Sequence, residues 1–118
     1  MDFNDNKPIY LQLADQIMDD VERRDLAPET RLMSVREYAA QTGVNPNTVL
    51  RTYTWLQDNG IIYNKRGIGY FFESDARSRV LSMRREIFFE KEMPLFIGRM
   101  KALGIDLKTF EDAYKNSK

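Results

Sequence analysis

The chain has 118 residues, 18 of them basic and 18 acidic, and contains neither cysteine nor histidine. This length allows one domain with a small extension. The missing residue types exclude disulfides, thiolate or histidine chemistry and zinc fingers. The first residues show no apolar core typical of a signal peptide, and no segment approaches the ~20 apolar residues of a membrane span. We therefore expect a cytoplasmic protein.

Positive charge is concentrated in the middle of the chain, although the net charge is zero. Residues 1–30 contain three basic and eight acidic residues, whereas residues 31–79 contain seven basic and four acidic residues. A local excess of positive charge favours an anionic partner even when the overall balance is neutral. The excess is modest, so it supports nucleic-acid binding only in combination with a motif.

The first predicted helix begins at Pro8 and ends near Asp25. Proline suits the first turn of a helix, and apolar residues recur at helical spacing from Tyr10 to Val21. Acidic residues populate the opposite face. Residues 31–33 are then expected to form a short extended connector.

Two short helices follow the connector. Ser34 and Glu37 have the spacing of a capping box at the start of the second helix, and Gly43 suits the turn that ends it. The third helix is expected to extend from about Pro46 to Asn59. Its apolar stripe consists of Val49, Tyr53 and Leu56.

The period then changes from helical to extended. Residues 61–64 and 69–73 are two β-rich runs separated by Lys65-Arg66-Gly67-Ile68. Glycine between two such runs is typical of a hairpin turn. The sequence therefore predicts a β-hairpin with a basic tip.

A long helix is expected to begin at Ser74 or Asp75. Its first half is rich in arginine, and its second half carries apolar residues at helical spacing. Pro94 lies inside this helix and should kink or split it. Gly104 should end it, and Asp106 can cap one last helix.

These elements predict a mainly α fold with a small β-hairpin wing. The expected organisation is a winged helix-turn-helix domain over residues 1–74, followed by a C-terminal helical hairpin over residues 75–118. Two helices joined by a tight turn and followed by a hairpin are the arrangement of a DNA-binding winged helix.

The start of the third helix carries more hydrogen-bonding side chains than a cap requires. Asn45 alone suffices as a cap, yet Asn47 and Thr48 follow it. A recognition helix places such residues against base edges or phosphates, where asparagine pairs with adenine and threonine contacts a thymine methyl. Leu50 and Arg51 lie one turn further along the same helix.

Each of these features also has a simpler interpretation. Asn45 could act only as a helix cap, and Arg36 could be a solvated charge on the second helix. Lys65, Arg66 and Gly67 could form an ordinary soluble turn, because glycine is common in hairpins. The combination of a polar helix start with a basic hairpin favours DNA binding.

Five short motifs in a fixed order resemble those of the GntR-type winged-helix transcription factors, over roughly residues 8–74. The tail of two helices resembles that of the YtrA-type subfamily, whose small C-terminal unit mainly dimerises. The motifs are Pro8-Ile9-Tyr10-Leu11-Gln12, Leu32-Met33-Ser34-Val35-Arg36-Glu37, Val44-Asn45-Pro46-Asn47-Thr48-Val49, Gly60-Ile61-Ile62 and Arg66-Gly67-Ile68-Gly69.

The resemblance implies DNA contacts from three elements. Arg36 matches the family's DNA-binding arginine of the second helix, residues 45–47 match the start of the recognition helix, and residues 66–67 match the wing tip that enters the minor groove. Leu50 stands where some members have arginine, and Met33 where the family usually has proline. The complete candidate DNA-binding set is Ser34, Arg36, Asn45, Pro46, Asn47, Thr48, Leu50, Arg51, Lys65, Arg66 and Gly67.

The tail carries more apolar side chains than one short partner helix can cover. A two-fold dimer would cover them and would double the base contacts across a palindrome, although packing on the winged-helix core could account for some. The candidate dimerisation residues are Leu81, Phe88, Phe89, Met93, Phe96 and Met100.

The expected function is sequence-specific DNA-binding transcriptional regulation, as a homodimeric repressor on an inverted-repeat operator. The alternative is a winged-helix module for protein–protein interaction without specific DNA binding. An enzyme is disfavoured, because no paired carboxylates, phosphate-binding loop or activated nucleophile can be identified. We expect double-stranded DNA and a second copy as partners, with no cofactor, metal or membrane, and leave a small-molecule effector open.

Overall fold

The computed structural model describes residues 7–24 and 29–118. Its elements confirm the predicted mainly α fold with a two-stranded wing. The chain divides into two compact units between Ser82 and Met83. The boundary between a DNA-binding and a dimerisation region after residue 74 stays a prediction. In chain order the elements are α1 (Ile9–Arg23), α2 (Val35–Thr42), α3 (Pro46–Asp58), β1 (Ile62–Lys65), β2 (Gly69–Phe72), α4 (Ala76–Ile87), a π-helical turn (Phe88–Glu92), α5 (Met93–Ala102) and α6 (Leu107–Asn116).

Helix α1 packs against α3 in the first unit. The Thr52 side chain is fully buried in this contact, and its hydroxyl donates a hydrogen bond to the Tyr10 carbonyl at 2.8 Å. Asp25, where the sequence predicts the end of α1, lies outside the described residues. The buried face of α1 consists of Leu13, Ala14, Ile17, Met18 and Val21.

The capping box predicted for α2 is present. The Ser34 hydroxyl accepts from the Glu37 N–H at 3.1 Å, and the Glu37 carboxylate accepts from the Ser34 N–H at 3.2 Å. Hydrogen bonds from the Ser34 backbone, and then from its side chain, hold the pKa of Glu37 below its ordinary value. Gly43 ends the helix in the left-handed conformation, as expected.

The predicted apolar stripe of α3 is confirmed, because Val49, Tyr53 and Leu56 are all buried. The Tyr53 hydroxyl donates to the Met33 carbonyl at 2.7 Å. Burial, followed by the neighbouring Tyr38 and Tyr70, raises the pKa of Tyr53, so the hydroxyl keeps its proton. Helix α3 is therefore joined to the connector that precedes α2.

The extended connector is also present, and it pairs with the wing. The Leu32 N–H donates to the Tyr70 carbonyl at 2.9 Å, and the Phe72 N–H donates to the Thr30 carbonyl at 2.8 Å. Arg31 lies opposite Phe71 in an antiparallel bridge. Strand β2 thus has the connector on one edge and β1 on the other.

Helix α4 begins at Ala76, within two residues of the predicted start. Ala76 and Val80 are buried, so the first turns of this helix belong to the core of the first unit. The sequence pattern of the predicted long helix does not show that Ala76 and Val80 pack in the first unit while the apolar residues after Ser82 belong to the second.

The second unit contains the interruption that Pro94 was expected to cause. The π-helical turn directly precedes α5, and Pro94 occupies the first turn of that helix. A proline lacks the N–H that an α-helix interior requires, and a π-helical turn accommodates such a break without ending the helix. None of the helices in residues 7–24 and 29–118 combines the length with the apolar character that a membrane span needs.

The end of α5 and the start of α6 agree with the sequence prediction. Gly104 is left-handed, and the Ile105 N–H behind it donates to the Met100 carbonyl at 2.9 Å. The Asp106 carboxylate caps α6 by accepting from the Thr109 hydroxyl at 2.6 Å and from its N–H at 2.9 Å. These bonds lower the pKa of Asp106.

Replacing Tyr53 by phenylalanine tests the bond between α3 and the connector. Tyr53→Phe keeps the buried ring and removes only the donor to the Met33 carbonyl, so we expect a loss of about 1 kcal/mol in the free energy of unfolding. Urea denaturation would measure it. Tyr114→Phe, measured at a concentration at which the chain is monomeric, is the matched control, because Tyr114 is 72% exposed in the single chain. Equal stability of the two variants would contradict a structural role for this bond.

Candidate nucleic-acid interface

The amino-terminal turn of α3 presents exposed polar groups. The Asn45 side-chain oxygen accepts from the Asn47 N–H at 2.8 Å, which confirms Asn45 as the cap. This bond uses only the oxygen of the amide, so the NH2 group of Asn45 can still donate to a partner outside the helix. Asn45, Pro46 and Asn47 are exposed, and Thr48 is half-buried.

Leu50 and Arg51 extend this exposed face by one turn. Leu50 is 45% exposed. The Arg51 guanidinium lies 4.0 Å from the centre of the Tyr10 ring, in a cation–π contact. Tyr10 thereby holds the Arg51 side chain in one direction, while the edge of the planar guanidinium can still donate to phosphate or guanine.

Helix α2 contributes Ser34 and Arg36. Arg36 is exposed. The Ser34 oxygen accepts from the Glu37 N–H in the capping box, and donation of its hydroxyl hydrogen to DNA would take that hydrogen from the Glu37 carboxylate. Because α2 packs directly against α3, these two residues lie on the partner helix of the helix-turn-helix.

The wing tip lies between β1 and β2. Lys65, Arg66 and Gly67 are exposed, and the Ile68 N–H donates to the Lys65 carbonyl at 2.9 Å across the turn. Gly67 has φ of +79°, and a side chain there would meet no atom within 4 Å. The tip is therefore open to a partner, and its glycine is required by backbone conformation rather than by packing.

The structure places all the candidate DNA-binding residues in the first compact unit. The contacts of α3 with α2 and with β1 bring the three elements that carry them together. Sequence reasoning misses two contributors. Tyr10 stands out in the sequence only as part of an apolar stripe, and Arg31, whose side chain contacts the wing, carries no recognisable signal.

The second unit contains an open apolar groove of about 920 Å³. Four of the six candidate dimerisation residues line it, whereas Phe89 packs its ring against Phe88 and Leu81 belongs to the first unit. The lining residues are Phe88, Glu92, Met93, Phe96, Ile97, Met100, Lys101, Ile105, Leu107, Phe110 and Tyr114.

A helix-turn-helix followed by a basic hairpin defines a DNA-binding winged-helix protein. The model of the gntR family of bacterial regulatory proteins matches residues 9–72. This chain belongs to the GntR family, so it is a DNA-binding transcriptional regulator and not an enzyme.

Relatives of similar length support this assignment. The HTH-type transcriptional regulator YhcF of Bacillus subtilis is 41% identical over 87% of this chain and 84% of its own length. The HTH-type transcriptional repressor YtrA of the same organism is 30% identical over 98% of this chain and 88% of its own. The predicted likeness to YtrA-type regulators is thereby confirmed.

Solved structures give the same result. A crystal structure of a GntR-family regulator from Bacteroides thetaiotaomicron is 44% identical and superimposes with a TM-score of 0.77, covering 92% of this chain and 94% of that one. The roles of individual residues in DNA binding stay predictions.

A substitution at Asn45 separates its capping role from a role at DNA. Asn45→Ser keeps a good N-cap and removes the amide donors, so we expect an unchanged melting temperature with a weaker preference for adenine in the bound site. Asn45→Ala, which loses both functions, is the comparison. If Asn45→Ser binds the same DNA sequences as the parent, Asn45 is only a cap.

Proposed function

We propose that this protein is a homodimeric repressor that binds an inverted-repeat operator through α2, α3 and the wing. The observation that carries the proposal is the polar first turn of α3, which is exposed beside Arg36 and the basic wing tip in a single compact unit. An operator-bound dimer would repress by excluding RNA polymerase.

The proposed contacts divide between the two grooves and the phosphate backbone. Asn45 and Asn47 read bases in the major groove, where an asparagine amide can form two bonds with adenine. Arg36 binds phosphate and fixes the register of α3. Arg66 enters the minor groove, and Gly67, which has no side chain, allows the wing backbone to approach the groove closely.

The remaining candidates would support these contacts. Ser34 donates to phosphate from the start of α2, and Lys65 adds positive charge at the wing. Thr48 and Leu50 supply apolar contact with a thymine methyl. Arg51, held by Tyr10, donates to phosphate or guanine.

The groove in the second unit supports dimerisation. Phe88 and Phe96 line it and remain 46% and 48% exposed in the single chain, and Leu107 and Tyr114 remain more than 70% exposed. Apolar side chains clustered in one groove are typical of a protein–protein contact. A two-fold dimer would cover them and place two recognition helices about 10 bp apart, or at a multiple of that spacing.

The proposal that this protein represses transcription is supported by the names of its relatives. YtrA of Bacillus subtilis, which resembles this chain along almost its whole length, is named a transcriptional repressor. The groove could also admit an apolar effector, but its exposed aromatic rim favours a second copy.

Selection from a random pool of double-stranded DNA tests the proposal as a whole. The purified protein should enrich an inverted repeat whose half-sites are separated by about one helical turn or a multiple. Arg23→Ala, at an exposed position in the last turn of α1, should enrich the same sequence, whereas Arg36→Ala should bind it more weakly. Enrichment of a single, unrepeated site would contradict the symmetric mode, and no enrichment would favour the interaction module.

A charge placed in the groove tests dimerisation. Phe96→Glu should convert the protein to a monomer at micromolar concentration, because a carboxylate would be buried without a partner. Light scattering would measure the mass. Leu95→Glu is the matched control, since Leu95 lies on the same helix and is 73% exposed but does not line the groove. A monomeric parent protein would refute the proposed dimer.

A further inference from the structure

The Arg31 side chain reaches across the edge of β2 to the wing turn. Its Nη2 atom donates to the Ile68 carbonyl at 2.9 Å. A Cβ atom at Gly69 would lie 3.1 Å from Arg31 Nε and 3.2 Å from Nη2. The guanidinium therefore rests against the wing backbone, and a side chain at residue 69 would require it to shift by a few tenths of an ångström.

The backbone of the connector holds Arg31 in register with this turn. Hydrogen bonds from Leu32 to Tyr70 and from Phe72 to Thr30 lie on either side of Arg31. The backbone of Arg31 is thus held beside Phe71 of β2, from where its side chain reaches the wing turn. Its bond to the Ile68 carbonyl extends the attachment of the connector from the strand to the turn.

The same connector is attached to the recognition helix. Met33, two residues after Arg31, accepts the hydrogen bond of the buried Tyr53 hydroxyl at 2.7 Å. Movement of the wing turn relative to α3 is therefore opposed by Arg31 at one end of the connector and by Tyr53 at the other. The distance between the wing and α3 decides whether both can reach one half-site.

We propose that Arg31 is a positioning residue for DNA recognition, which fixes the wing turn so that Arg66 and Gly67 reach the minor groove while α3 occupies the major groove. The inference rests on the proposed wing contact. Arg31 is exposed, so its charge could instead bind a DNA phosphate directly. The two roles differ in whether the losses of DNA affinity caused by substituting Arg31 and Arg66 are additive.

The first arm of the test uses the full-length protein without DNA. In Arg31→Ala, backbone order parameters from ¹⁵N relaxation at residues 67–69 should fall from about 0.85 towards about 0.6. Arg31→Lys should recover part of the loss, because its ammonium can still donate to the Ile68 carbonyl. Arg23→Ala should leave the values unchanged. Equal order parameters in Arg31→Ala and the parent would overturn the proposal.

The second arm is a double-mutant cycle on the DNA sequence that the parent protein selects. Arg31→Ala should weaken binding by roughly threefold to tenfold, the range expected for one hydrogen bond. In the background of Arg66→Ala it should weaken binding by less than about twofold, because the positioned contact is already absent. Additive losses would indicate a direct phosphate contact and would overturn the positioning role.

The two possible failures are distinguishable. If Arg66→Ala alone leaves affinity unchanged, the wing contact of the proposed function is wrong, and the positioning role is overturned with it. If Arg66→Ala weakens binding but the two losses add, the wing contact stands and only the inference about Arg31 is overturned.

Discussion

The hydrogen bond from the Tyr53 hydroxyl to the Met33 carbonyl is the interaction on which the arrangement of the first unit depends. It joins the buried side of α3 to the connector at 2.7 Å, and the connector in turn pairs with β2. The two surfaces that a winged helix presents to DNA are therefore linked through one short extended segment. The exposed residues of α3 are free to serve recognition because its buried residues provide this attachment.

Local features of the fold could be predicted from the sequence because each depends on residues a few positions apart. The capping box of Ser34 and Glu37, the left-handed Gly43 and the Asp106 cap are all of this kind. Pro94 correctly marked a break in the long helix, although its form, a π-helical turn, depends on how the surrounding backbone relaxes.

The contacts that orient the candidate site could not be predicted in the same way. Arg31 and Ile68 are 37 positions apart, and Thr52 and Tyr10 are 42 apart. Hydrophobic periodicity identifies which face of an element is buried but does not identify its partner. Tyr10 illustrates the limit, since its place in an apolar stripe gave no indication that its ring would hold Arg51.

Two glycines of the first unit share an arrangement with consequences for how this chain can diverge. Gly69 lies beneath the Arg31 side chain, and Gly60 lies beneath that of Arg79, where a Cβ atom on the glycine would lie 3.0 Å from the guanidinium Nη1. Both glycines also have positive φ, so each is constrained by its backbone and by its neighbour. Loss of either arginine would remove only the steric constraint, because the positive φ would still favour glycine. We therefore expect homologous chains to keep each glycine even where its arginine is replaced.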